Sequence, residues 1–370
     1  MPEYILPPRP LGSEPQENTQ NKENNPPALP VGFIGEPVGT QVAEKENLDL
    51  TRAHELLSRI ATSYSSHVVG QEKLKTSLLI ALLTGGHILL ESVPGLAKTT
   101  AAQTLASTVK ADFKRIQCTP DLLPSDIIGT QIYDQKTGEF RTQLGPVHAN
   151  FVLLDEINRS SSKTQSAMLE AMQERQTSIG GEVIKLPYPF LVIATQNPIE
   201  QEGTYHLPEA QLDRFLLKEV LDYSSPEEEL EILNRIDSGV LTGKSINSDH
   251  AVNLSDVEFL QSLTSKIYVD ESVRQYIINI IYATRNIGKF LPQMESYVEY
   301  GASPRASIAF LQASRALALL NGRDHVTPDD IKYLRHEVLR HRLILNYEAD
   351  VENIKPETII DQLFNIIPTP

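Results

Sequence analysis

The apolar run His87-Ile88-Leu89-Leu90 passes directly into Glu91-Ser92-Val93-Pro94-Gly95-Leu96-Ala97-Lys98-Thr99 and then into a helix-forming stretch. Strand, tight loop and helix in immediate succession constrain the chain to an α/β arrangement whose loop opens at the end of a buried strand. The chemistry this suits is the holding of a polyphosphate. Backbone N–H groups of a tight loop and a helix N-terminus surround phosphate oxygens while one ammonium neutralises them. Lys98 supplies that charge and Thr99 a hydroxyl for Mg²⁺, with Ser92, Val93, Pro94, Gly95, Leu96, Ala97 and Thr100 completing the cradle. Ser92 and Ala97 stand where the G-x-x-x-x-G-K-[ST] pattern has glycine, so the loop alone leaves a working site and a chance match equally open.

A second segment decides between them. Phe151-Val152-Leu153-Leu154 ends in Asp155-Glu156, the pattern of a strand buried on both faces whose carboxylates sit at a crevice. Asp155 suits Mg²⁺ held through water, and Glu156 suits the orientation of an attacking water. A third strand, Pro189 to Thr195, leads to Asn197, which is either a turn residue before Pro198 or a group for a γ-phosphate or lytic water. Arg214, in Leu212-Asp213-Arg214-Phe215, is either a surface ion-pair partner or a finger reaching a neighbouring subunit's phosphate.

In this order these features resemble the AAA+ ATPases. The strings Gln117-Cys118-Thr119-Pro120-Asp121-Leu122-Leu123-Pro124-Ser125-Asp126, Ala194 to Tyr205 and Leu207 to Phe215 are similar to the MoxR family within them, over residues 49 to 367. The resemblance implies an α/β fold: a P-loop core with a parallel sheet flanked by helices, followed by an all-α lid domain. It implies ATP and Mg²⁺ as cofactors, Thr99 and Asp155 at the metal, and Glu156, Asn197, Arg214 and Arg305 as catalytic groups. Asn197 would be sensor 1, and Ser303-Pro304-Arg305-Ala306 resembles sensor 2, with Ser303 as helix cap, Pro304 in the first turn and Arg305 aimed at the γ-phosphate. Arg159 is a rival to Arg214 at the subunit interface. Val69-Gly70-Gln71 resembles the adenine-pocket segment, which adds Gly70 and Gln71 to the nucleotide contacts. Ser92 departs from the family's glycine, as His206 and His148 depart from its Pro and aromatic residue. The resemblance further implies a homo-hexameric ring acting on protein clients, among them proteins with von Willebrand factor A domains. A nucleotide-responsive scaffold with little turnover is the alternative that Ser92 suggests.

Composition is compatible with this. At 370 residues and 40% hydrophobic there is material for two domains and a tail, with no apolar run of the ~18 residues that span a membrane. A net charge of −15 argues against a large nucleic-acid footprint. The single cysteine, Cys118, fits a buried role in a reducing cytoplasm, and no secretory signal pattern opens the chain. Residues 1–48 carry nine of the 24 prolines and read as a disordered tail, with Val31-Gly32-Phe33-Ile34-Gly35 as its most apolar patch. Residues 49–223 alternate strands and helices, and 224–370 are dominated by helices, starting at the Ser225-Pro226-Glu227 cap and ending in an amphipathic segment from Ile354 to Ile367. Ile128 to Leu144 and Gln176 to Leu186 read as hairpins inserted in the core, either inert or moving with nucleotide state. The basic run from Arg335 to Arg342 reads as a solvated or subunit-facing helix.

Overall fold

A computed structural model describes residues 49–93, 95–198, 205, 207–238 and 252–370. The expected tail, its Val31–Gly35 patch, Pro94 of the loop and His206 lie outside the described residues. The first part contains α1 (Leu50–His67), α2 (Glu72–Thr84), β1 (Ile88–Glu91), α3 (Lys98–Thr108), β2 (Phe113–Gln117), α4 (Pro124–Ile128), β3 (Gly129–Asp134), β4 (Glu139–Leu144) and β5 (Phe151–Asp155). It continues with α5 (Ser162–Glu174), β6 (Gln176–Ile179), β7 (Glu182–Lys185), β8 (Leu191–Gln196), α6 (Glu209–Leu212) and β9 (Leu217–Val220). Then follow α7 (Pro226–Asp237), α8 (Leu254–Lys266), α9 (Glu271–Arg285), α10 (Ile287–Phe290), β10 (Val298–Tyr300) and α11 (Pro304–Leu320). The last elements are α12 (Pro328–Tyr333), α13 (Arg335–Leu339), β11 (Ile344–Leu345), α14 (Tyr347–Val351) and α15 (Pro356–Ile366). Among the described residues no helix is long and apolar enough to cross a membrane.

Five strands form one parallel sheet in the order β2-β5-β8-β1-β9. Strand residues alternate between faces, so each strand feeds two apolar layers. Ile88, Leu90, Phe151, Leu153, Leu191 and Ile193 join one cluster with α1, α2 and α3, while Leu89, Val152, Leu154, Val192 and Ala194 join another with α5. The first cluster continues without a break into Leu260, Ile280, Phe310, Ala313 and Leu363 of the later helices. Sheet face and helical region thus share one core. The register aligns Glu91 with Gln196 and Val220, and Gln117 with Asp155, so all five strand C-termini open on the same end.

Both inserted hairpins are present, β3–β4 with Asp134 opposite Glu139 and β6–β7 turning through Gly180-Gly181. Gly129, which starts β3 at a φ of +113°, is needed there: a Cβ would strike the carbonyl oxygen of Gln143. On the first hairpin Tyr133 and Phe140 pack ring to ring at 5.3 Å and remain exposed with Ile132 and Leu144. The helix caps read from sequence form: Ser225 accepts from the N–H of Glu228 in a capping box, and Ser303 accepts from the N–H of Arg305. The helical region adds one short antiparallel pairing, β10 with β11.

The basic run is not a solvated or subunit-facing helix. The Arg342 side chain is 2% exposed and Arg340 only 9%, and both are turned inward onto the sheet domain. Arg342 Nε donates to Asp213 Oδ1 at 2.8 Å while its terminal nitrogens donate to the carbonyls of Phe215, Leu216 and Val338. His341 Nε2 contacts the Phe215 carbonyl at 3.2 Å, and Arg340 donates to that of Lys218. Alternating charge made the run look exposed; the carbonyls of Phe215, Leu216 and Lys218 that accept from it come from residues more than a hundred positions away.

The same joint buries acid. Glu219 is 2% exposed, accepts from Ser77 Oγ at 2.5 Å and faces Glu337, so burial and that second carboxylate push its pKa up to about 7 against the bonds and charges of Ser77, Arg340 and Lys73. A carboxyl whose pKa is higher folded than unfolded stabilises the fold when protonated, and that contribution is lost as pH rises from about 4.5 through about 7. Glu219→Gln should therefore match the wild type in urea unfolding near pH 4.5 and exceed it above pH 7, the gap opening by up to about 1.4 kcal/mol per pH unit between. A gap that does not vary with pH would show that Glu219 stays ionised in the fold.

Candidate nucleotide site

The phosphate loop leaves β1 at Ser92, whose N–H donates to the Gln196 carbonyl at 3.1 Å and so ties the loop to β8. Ser92 is buried and is absent from the left-handed residues, so its Cβ adds no backbone strain. Its hydroxyl donates to the Val93 carbonyl at 3.0 Å. Gly95, at a φ of +89°, faces open space, and Ala97 takes a left-handed conformation at the cap of α3. Lys98, Thr99 and Thr100 form the first turn of that helix, with N–H groups at its positive end. Lys98 Nζ donates to the Ser92 carbonyl at 3.3 Å. Gly70 and Gln71 are both left-handed, and Gln71 Nε2 reaches the Leu96 carbonyl at 3.4 Å, which places that segment against the loop. Glu228 of α7 lies over Gly70, so the helical region borders the same place.

Asp155 and Glu156 stand at the end of β5, at the same end of the sheet as the loop. Glu156 takes a left-handed φ of 58°, a costly conformation for a residue with a side chain, which turns the chain sharply after the strand. Thr195 of β8 fixes both acids: its buried hydroxyl donates to Asp155 Oδ1 at 2.7 Å and accepts from the Glu156 N–H at 2.8 Å. The other Asp155 oxygen accepts from Arg115 Nε at 3.1 Å and from its terminal nitrogen at 2.5 Å. Glu156 Oε2 accepts from Gln117 Nε2 at 2.9 Å and from Arg159 at 3.1 Å. Asn197 is buried just beyond, its carbonyl accepting from Asn158 Nδ2 at 3.4 Å. Cys118 is buried too, with its thiol pushed up to about 12 by burial, an inert group.

Loop, acids and Asn197 gather at one end of the sheet; Arg214 and Arg305 do not. Arg214 lies three residues before Leu217, which pairs with Ile88 at the opposite, N-terminal end of the strands. A strand's length, about 10 Å or more, separates it from its own loop. Arg214 and Arg305 instead line one cavity of about 190 Å³ with His87, Met172, Gln173 and Arg342. Among the described residues Arg214 Nε, buried there, has no hydrogen-bond partner. Arg305 Nη1 stands 3.7 Å from Asp213 Oδ2, which also accepts from Ser303 Oγ at 2.7 Å. Beneath them His87 is held neutral, its pKa lowered to about 4 by burial, with Nδ1 accepting from the Val192 N–H and Nε2 bonded to the Met172 carbonyl. Arg159, the rival, lies beside Glu156 at the nucleotide end.

Known sequences bear on this geometry. The ATPase family associated with various cellular activities (AAA) matches residues 87–217, and the AAA lid domain matches residues 293–363. Chaperone MoxR1 of Mycobacterium tuberculosis is 48% identical over 304 residues, covering 82% of this chain and 79% of that protein. The chain belongs to the MoxR family of AAA+ ATPases. Protein MoxR of Methylorubrum extorquens is 28% identical over 87% of this chain and 97% of its own length. A crystal structure of a protein assigned as an ATPase from Cytophaga hutchinsonii superposes with a TM-score of 0.80 at 46% identity, over 87% of this chain and 97% of that one.

The donor set of this site is compatible with a divalent cation. Thr99 and Asp155 offer hard oxygen donors, which suits Mg²⁺, an ion bound through one or two protein oxygens together with waters and phosphates. A cation already stands on Asp155, the guanidinium of Arg115. Arg115, Gln117 and Thr195 were not singled out as site residues from the sequence. Arg115 and Gln117 share a strand face by their spacing of two, but only the register of β2 on β5 brings that face to the acids.

Thr195→Val would leave a buried Asp155 oxygen and the Glu156 N–H without their shared partner. The expected cost is about 1 to 3 kcal/mol in urea unfolding, with Thr195→Ser close to wild type. Equal stability of all three would mean that water replaces the hydroxyl.

Proposed function

We propose that this protein hydrolyses ATP with Mg²⁺ at the interfaces of a closed ring of identical copies, a hexamer, and uses the cycle to remodel protein clients in the cytoplasm. The observation that carries the reading is the separation of parts. Lys98, Asp155, Glu156 and Asn197 gather at one end of the sheet, and Arg214 and Arg305 gather in one cavity at the other. Two arginines placed there serve a γ-phosphate only if it is a neighbour's. A trans-acting arginine is worth ~10³ to 10⁵ in rate.

In this reading an ATPase core spans 49–223 and a lid 224–370. The N–H groups from Gly95 to the first turn of α3 hold the phosphates, and Lys98 neutralises the β- and γ-oxygens. Thr99 and Asp155 would hold Mg²⁺, which when bound withdraws charge from the transferring phosphoryl group. Glu156, once released from Gln117 and Arg159, orients the water that attacks the γ-phosphorus as the bond to the ADP oxygen breaks. Asn197 holds that water or the γ-oxygens, and the neighbour's Arg214 and Arg305 stabilise the developing charge. Client remodelling rests on the name of the mycobacterial relative and on the exposed Tyr133–Phe140 hairpin, with proteins carrying von Willebrand factor A domains as the client class. The unstrained backbone at Ser92 favours hydrolysis over a scaffold with little turnover.

Mixing tests the trans site. Lys98→Ala and Arg214→Ala should each lose turnover, and a mixture of the two, co-assembled with nucleotide, should recover part of it, because some interfaces then pair an intact loop with an intact arginine. Sedimentation confirms co-assembly. Mixed rings without recovery would place Arg214 in cis or outside the mechanism.

A further inference from the structure

Asp155, the carboxylate on which the proposed Mg²⁺ chemistry rests, carries a guanidinium. Arg115 donates to its Oδ2 from both Nε and a terminal nitrogen, at 3.1 and 2.5 Å, and steadies that nitrogen on Gln117 Oε1 at 3.0 Å. The Asp155 side chain is only 12% exposed, so its charge needs a partner when no metal is near. Thr195 donates a hydrogen bond to the other oxygen but no charge.

We propose that Arg115 is a positioning residue that stands in for the metal on Asp155 in the nucleotide-free protein and withdraws when a metal–nucleotide complex binds. Three features fit that exchange. The guanidinium occupies a carboxylate oxygen with a charge-assisted pair, the contact that a hydrated divalent cation would claim. Arg115 lies on β2, the outermost strand of the sheet beside β5, and its side chain is 49% exposed on the solvent side, so it can leave without moving the backbone. Its departure also frees Gln117, the residue that holds Glu156 two positions along the same strand. Occupation of the metal's carboxylate and restraint of the water-orienting carboxylate are thereby joined through one pair of side chains.

The consequence is a penalty on metal–nucleotide binding that metal-free nucleotide does not meet. It is read by calorimetric titration of ADP with and without Mg²⁺ into wild type, Arg115→Met, Arg115→Lys and Asp155→Asn. Arg115→Met should bind Mg·ADP about ten- to a hundredfold more tightly relative to metal-free ADP than wild type does, the size of one charge-assisted contact given up. Arg115→Lys, which keeps the charge but loses the fork, should fall between. In thermal unfolding Arg115→Met should melt below wild type without nucleotide and level with it in saturating Mg·ADP.

Unchanged Mg²⁺ dependence in Arg115→Met, or a melting deficit that persists in Mg·ADP, would overturn the exchange and leave Arg115 a fixed structural partner. A failure of the underlying site looks different. There Mg²⁺ would not strengthen ADP binding to wild type, and Asp155→Asn would behave as wild type does.

Discussion

The pairing of Asp213 with Arg342 is the contact on which the rest of the arrangement depends. Arg342 is nearly inaccessible to solvent, and its charge is balanced by the Asp213 carboxylate and four backbone carbonyls, so the sheet domain and the helical region cannot part there without stranding a buried cation. Asp213 has a second duty. Its other oxygen takes the hydroxyl of Ser303, the cap of α11, and stands near Arg305 in the first turn of that helix. A single carboxylate therefore fixes where the lid helix begins, and its sequence neighbour, Arg214, faces the cavity that Arg305 enters.

This joint sits on a continuous apolar core. The residues of α2 pack on one sheet face and on α8 and α11 alike, so the later helices complete a layer that the sheet would otherwise leave open. The polar contacts then set orientation within that layer. Glu219 and Glu337 show the cost of building a joint this way: two carboxyls share a buried space, and the pKa of Glu219 is pushed up to about 7.

What was legible in the sequence is what local chemistry writes locally. Apolar runs of the right length gave β1, β5 and β8, Ser225 and Ser303 announced their helices, and the loop and acidic pair proved to stand at one end of the sheet. The hairpins followed from their glycine turns. What the sequence hid depends on register and on distant partners. Arg115 and Gln117 become site residues only because β2 lies beside β5, and Thr195, an ordinary β-branched strand residue by type, gains its role from two bonds across the strands. The run from Arg335 to Arg342 misled because a charged segment that caps distant carbonyls has the same local pattern as a helix facing water.

The cavity that gathers Arg214 and Arg305 has Met172 and Gln173 in its wall, and these are in the last turn of α5. Two residues after that helix ends, β6 begins. The floor under the two arginines and the root of the second hairpin are thus the same helical turn, clamped to the sheet by His87 through the Met172 carbonyl. Met172 is buried, so a shift of that turn is passed to the hairpin, because close-packed interiors pass strain on rather than absorb it. No long lever lies between them: the wall of the arginine cavity and the root of the second hairpin are separated by one turn of helix.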